Sequence, residues 1–213
     1  MTQIEQKPEH DSVLSKGALS ILDVAEQLFA DKGFDAVSIN DIAQQADVSK
    51  ANIFHHFKSK EGLYISVLKL ACEHSALALD EVERTLPDAP QAQLGSFLTH
   101  HLQALLAHPQ STRLIQRELL ENGATRGKQL AEEVFSEHFS RLVELVREAQ
   151  SQGLLRKDFD TALLAFMLVG ANIFFFETQA VLKHLPEIGF ADSPDRYSSA
   201  VFDLMLHGIK NPS

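Results

Sequence analysis

Two helix starts, at Ser38 and Ser49, constrain this chain more than anything else in it. The segment between Ser38 and Gly62 reads SINDIAQQADVSKANIFHHFKSKEG, two short helices joined by a tight turn. Ser38 stands three residues ahead of Asp41, a capping-box-like start that predicts a helix over 39–46 with Ile39, Ile42, Ala43 and Ala46 inward. Asp47 falls where the chain must turn, and Asp is one of the few residues besides glycine that tolerate a left-handed conformation. Ser49 then caps a second helix over 50–56. Its inward positions are Val48, Ile53, Phe54 and Phe57, which leaves Lys50, Asn52, His55 and His56 outside.

Charge singles out the same segment. The formal net charge is -10, yet the residues between Asp47 and Glu61 hold Lys50, Lys58 and Lys60 and no acid. Such lysines suit phosphates, and the helix starts behind Ser38, Ser49 and Ser59 add unsatisfied backbone N–H groups. Asn52 is the best base-reading candidate, because an Asn pairs bidentately with adenine in a major groove, worth roughly 1–3 kcal/mol of discrimination. Two ordinary surface helices would explain the spacing alone equally well. Neither half of the chain is basic: residues 1–66 hold six Lys and ten acids, and the rest thirteen Lys or Arg and nineteen acids. Affinity for nucleic acid must therefore come from a few placed cations, and it should fall steeply with salt.

The run ILDVAEQLFADKGFDAVSINDIAQQADVSKANIFHHFKSKEGL, residues 21–63, resembles the DNA-binding domain of the TetR/AcrR family of bacterial transcriptional regulators. The motifs LFADKGFDAVSI, DIAQQADVSK and FHHFKSKEGL match the family pattern in order and spacing. The resemblance implies an all-α chain: a three-helix helix-turn-helix DNA-binding domain, then a helical domain for ligand binding and dimerisation. It implies phosphate contacts at Ser38 and Lys60, His56 against the backbone, and Ser49, Lys50, Ala51, Asn52 and His55 facing bases, while Lys58 stands as a phosphate contact on its charge alone. Two departures stand out. Asp47 replaces the usual turn glycine, and only Lys7 and Lys16 precede the first helix, so no basic arm in the minor groove is expected.

At 213 residues the chain suits one or two domains. The expected division is a disordered tail over 1–14, a DNA-binding domain over 15–66 and a helical effector and dimerisation domain over 67–213. Helices are expected at 15–32 before Gly33, at 60–86 ahead of Pro87, and then at 91–107, 111–121, 126–152, 159–185 and 196–208. The stretch TALLAFMLVGANIFFF, 161–176, is apolar on all sides and needs cover all round. A membrane span needs roughly 20 apolar residues, and Asn172 and Glu177 interrupt this run. A core helix that also lies in a dimer interface fits better, and the family resemblance implies dimerisation through the last two long helices. The interface residues expected are Phe174, Phe175, Ala180, Val201, Leu204 and Met205.

An effector cavity would be lined by Phe97, His101, Leu105, Val134, Phe135, His138 and Phe139, with Phe166 and Phe174 above and Arg117 at the mouth. Each of these could equally be plain core, and Arg117 an i,i+4 partner of Glu121. Fourteen phenylalanines and no tryptophan favour a hydrophobic effector. No metal and no cofactor is expected: among ten histidines there is no HxxxH pair, and the single cysteine, Cys72, has no resolving partner. One cysteine and a polar start without an export signal imply a cytoplasmic protein.

The function these features imply is a sequence-specific DNA-binding regulator, a homodimeric repressor on a pseudo-palindromic double-stranded operator, released by a small hydrophobic effector. A ligand-dependent activator or a corepressor-type regulator is the alternative sign. A helical interaction module or an enzyme is more remote, since no nucleophile elbow, phosphate loop or HExxH motif is present.

Overall fold

Each helix of the amino-terminal region starts where a serine hydroxyl accepts a hydrogen bond from an otherwise free backbone N–H. In the computed structural model, which describes residues 15–87 and 89–209, Ser15 caps α1 (Lys16–Lys32) by accepting from Ala18 N at 3.2 Å. Ser38 and Asp41 form a complete capping box on α2 (Ile39–Gln45), with Asp41 Oδ2 2.9 Å from Ser38 N. Ser49 accepts from Asn52 N at the start of α3 (Lys50–Phe57), and Ser59 accepts from Gly62 N at the start of α4 (Lys60–Thr85). The predicted tail over 1–14 lies outside the described residues.

The turn at Asp47 uses the left-handed region as the sequence suggested, and Lys58, which the sequence did not single out as a turn residue, uses it too. Asp47 sits at φ 53° between α2 and α3, and Lys58 at φ 67° after α3. These turns bring Ile42 and Ile53 onto Ile21, Leu22 and Phe29 of α1, all fully buried. This first unit ends at Val67 and a second begins at Leu68, so α4 starts in one and finishes in the other.

The second unit is built from α5 (Pro90–Ala107), α6 (Pro109–Leu130), a π-helical turn (Ala131–Phe135), α7 (Ser136–Ser151), α8 (Thr161–Leu182) and α9 (Pro194–Ile209). No strand occurs among the described residues. α5 is central and packs against α7, α8 and α9. The predicted break over 122–125 is absent. Asn122 Nδ2 donates to Glu118 Oε2 one turn away at 2.8 Å and Arg126 pairs with the same buried carboxylate from two turns away at 3.6 Å, so these side chains hold the helix through Gly123. The interruption comes later, as the π turn.

Asp160 caps α8 by accepting from Leu163 N, so the helix starts two residues later than expected. Only one side of α8 is covered: Leu164, Ala165, Leu168, Asn172 and Phe175 are buried, while Leu163, Phe166, Met167, Phe174 and Val181 are exposed. By length and apolar composition both α8 and α4 could cross a bilayer, so length does not exclude a membrane as the sequence suggested. Asn172, buried on the inner side of α8, instead marks that side as a protein interior.

Asn172 also organises the core. Its Nδ2 donates to Leu98 O at 2.7 Å and lies 3.1 Å from His101 Nδ1, and the Phe97 ring stacks on the imidazole at 5.2 Å. Burial pushes the His101 pKa down from 6.5 to about 4. The unfolded chain takes up a proton below 6.5 that the folded chain refuses, so this group contributes full stability above 6.5 and loses it as pH falls toward 4. Between pH 6.5 and 4.5 the expected loss is about 2 kcal/mol. Urea unfolding at pH 6.5 and 4.5 should show it, and His101→Leu should flatten that pH dependence.

Candidate functional site

α3 presents its outer surface to solvent with Lys50, Ala51, Asn52 and His55 exposed, Ser49 at its start and Lys58 just beyond its end. Ser38 is exposed at the start of α2, and His56 is half-buried. The nine residues singled out from the sequence thus fall on α3 and its flanks and on the starts of α2 and α4, in the first unit. Two of them are held in ways the sequence did not announce. The Lys58 ammonium turns back and donates to His55 O at 3.2 Å, a cation on the negative end of the α3 dipole. Lys60 Nζ lies 4.3 Å from the centre of the Phe34 ring, which also packs on Tyr64 at 4.8 Å, so an aromatic cluster props the lysine.

Phe54 corrects the inward set. It is 44% exposed, whereas Ile53 and Phe57 are buried. One residue turns the helix by roughly 100°, so Phe54 follows Lys50 at i+4 on the outer surface rather than Ile53 on the inner. The signal was that spacing; its apolar character masked it.

The predicted effector lining does not assemble. Phe97, His101, Leu105 and Val134 are buried core, and Phe135, His138 and Phe139 are half-buried. Arg117 pairs with Glu121 at 3.0 Å on the surface. Phe166 and Phe174 point away from any cavity, because α8 turns its Leu164, Leu168 and Asn172 side toward the core. An apolar cavity does exist elsewhere in the unit, against Leu94, Val146, Leu155, Leu164 and Leu168.

The expected interface set divides in the same way. Phe174 and Leu204 are 68% and 76% exposed, and Ala180 is exposed as well. Phe175 is only 1% exposed, its ring 4.3 Å from that of Tyr197, and belongs to the core of its own chain. Val201 and Met205 are half-buried and packed against that same core, which removes most of their surface from an interface. No group of three metal-binding side chains occurs among the described residues. Burial pushes the Cys72 thiol up to about 11, which keeps it protonated at neutral pH.

Comparison with known proteins places both units. The family model described as bacterial regulatory proteins, tetR family, matches residues 21–67, and that of the tetracyclin repressor-like C-terminal domain matches residues 90–200. The HTH-type transcriptional repressor NicS of Pseudomonas putida is 25% identical over 200 residues, covering 90% of this chain and 91% of the relative. The HTH-type transcriptional repressor KstR2 of Mycolicibacterium smegmatis is 25% identical over 151 residues, 68% of this chain and 70% of the relative. Among solved structures, the fatty acid degradation regulator FadR from Bacillus halodurans superposes with a TM-score of 0.73 at 21% identity, covering 94% of this chain and 100% of that one. With its helix-turn-helix head and its helical body both matched, the chain belongs to the TetR family of bacterial regulatory proteins.

Proposed function

We propose that this protein is a ligand-responsive transcriptional repressor that acts in the cytoplasm, without enzymatic activity, as a homodimer on a pseudo-palindromic double-stranded operator. The observation that carries this reading is the outer surface of α3, where Lys50, Asn52, Phe54 and His55 stand exposed together on a helix packed firmly at Ile53 and Phe57. One such helix reads only a few base pairs. A twofold dimer doubles the contacts and requires half-sites about one helical turn, ~34–36 Å, apart or a multiple of it. The repressor names of the two relatives agree with this sign of regulation. A small hydrophobic effector in the body would act by favouring one spacing of the two heads, with α4 as the continuous element between the units.

Selection of genomic fragments by the purified protein at two salt concentrations tests the reading. A pseudo-palindrome that weakens steeply with salt is expected, and no enrichment at either salt counts against it. Within that assay, Asn52→Ala should relax preference at one position of each half-site, by roughly 1–3 kcal/mol. Lys60→Ala should weaken all sequences alike and shallow the salt slope by about one. A changed motif with Lys60→Ala would put that residue at a base instead.

A further inference from the structure

Gly33 ends α1 at φ 81° and ψ 164°, a region that only glycine occupies without strain. The turn sends Phe34 back onto the helix it has just left, where its ring stacks 6.0 Å from that of Phe29. Tyr64 of α4 packs on the same ring at 4.8 Å and on Phe29 edge-on at 4.9 Å. Phe29 and Tyr64 are buried and Phe34 is half-buried, all three within the first unit. The Phe34 ring is therefore a fixed platform, supported from inside the head and partly open to water.

Lys60 stands one turn before Tyr64 on α4 and places its Nζ over this platform, 4.3 Å from the ring centre. It is the first residue of α4, where the positive end of the helix dipole repels a cation. Left to itself the side chain would move among its rotamers, and contact with a phosphate would cost that freedom. The negative face of the Phe34 ring holds the ammonium instead. A carboxylate would hold it too, but would neutralise it. The ring carries no net charge, so Lys60 keeps its full positive charge, and the N–H groups turned away from the ring remain to donate.

We propose that Phe34 is a positioning residue for DNA binding, whose ring holds the Lys60 ammonium charged and pre-oriented for a phosphate of the DNA backbone. The inference rests on the reading above that the head binds DNA through α3 and its flanks. Phe34 acts through Lys60 alone, so the corner between α1 and α2 contributes to affinity and not to the choice of sequence.

Two duplexes serve as probes for the full-length chain, one carrying the selected pseudo-palindrome and one of random sequence and equal length. Phe34→Leu should bind both about two- to fivefold more weakly, with the salt slope of the wild type, because Lys60 remains charged. In a Lys60→Ala background the same change should cost nothing further. If Phe34→Leu does not fold, a trifluorinated phenylalanine at position 34 takes its place, since the fluorines keep the shape of the ring and cancel its negative face. Without DNA, the Lys60 Hε resonances should lie upfield in the wild type through the ring current and move back toward those of free lysine in Phe34→Leu. Unchanged affinity of Phe34→Leu, an equal loss in the Lys60→Ala background, a shallower salt slope, or unshifted Hε resonances overturns the proposal. A wild-type chain that binds neither duplex defeats the regulatory reading, whereas binding of both with no coupling between positions 34 and 60 defeats this inference alone.

Discussion

Phe174→Asp is expected to give a folded monomer that has lost operator binding. In the single chain Phe174 is 68% exposed and lies in a stripe with Leu163, Phe166, Met167 and Val181 along α8. A carboxylate there costs the isolated chain little, since it displaces no packed neighbour. In a twofold dimer built on that stripe the same substitution acts twice, and each copy would bury a charge against apolar surface. With one head per particle the avidity of two linked contacts disappears, and operator affinity should fall by about two orders of magnitude or more. Light scattering coupled to gel filtration reads the mass, circular dichroism the fold, and a titration of operator DNA the affinity. Leu204→Asp, on α9, should do the same, being 76% exposed. A folded dimer of either variant would move the interface off that helix.

Phe29→Ala should strongly destabilise the DNA-binding head. Phe29 is fully buried, with its ring 4.9 Å from Tyr64 edge-on and 6.0 Å from Phe34. Removing a phenyl ring from such a site costs about 3–5 kcal/mol. Whole domains are stable by only about 5–15 kcal/mol, and a head of this size belongs near the lower end. The cluster also seats Phe34 under Lys60, so the loss reaches a predicted phosphate contact directly. Scanning calorimetry should show the head transition lowered by about 15 °C or more. A shift under about 5 °C would mean that the neighbouring side chains close over the cavity.

The residues of the head were legible because its determinants are local. Ser15, Ser38, Ser49 and Ser59 each cap the helix that follows, and a cap acts within three residues of its own position. Asp47 was read as a turn residue because its tolerance of positive φ belongs to its own side chain. Phe54 was misplaced for the complementary reason. Apolar character predicts burial only on average, and a helix that must meet another molecule can leave a phenyl ring outside.

The body shows where such reading stops. The break expected near Gly123 failed because Glu118, Asn122 and Arg126 pair along one side of α6, and the burial of that carboxylate comes from packing. α8 is apolar all round, so its sequence holds no record of which side turns inward; its neighbours decide it, α5 and α7 packing on the Leu164 and Leu168 side and the Tyr197 ring of α9 on Phe175, with Phe166 and Phe174 left outside. His101 and Asn172 lie far apart in the chain, and nothing in either neighbourhood announces their hydrogen bond. By itself, then, the sequence determined the helices, their caps and the polar surface of α3, because these follow from interactions within a turn or two. Only the tertiary structure decided which apolar faces meet and which polar atoms are buried between them, because hydrophobic burial has no direction until the elements have packed.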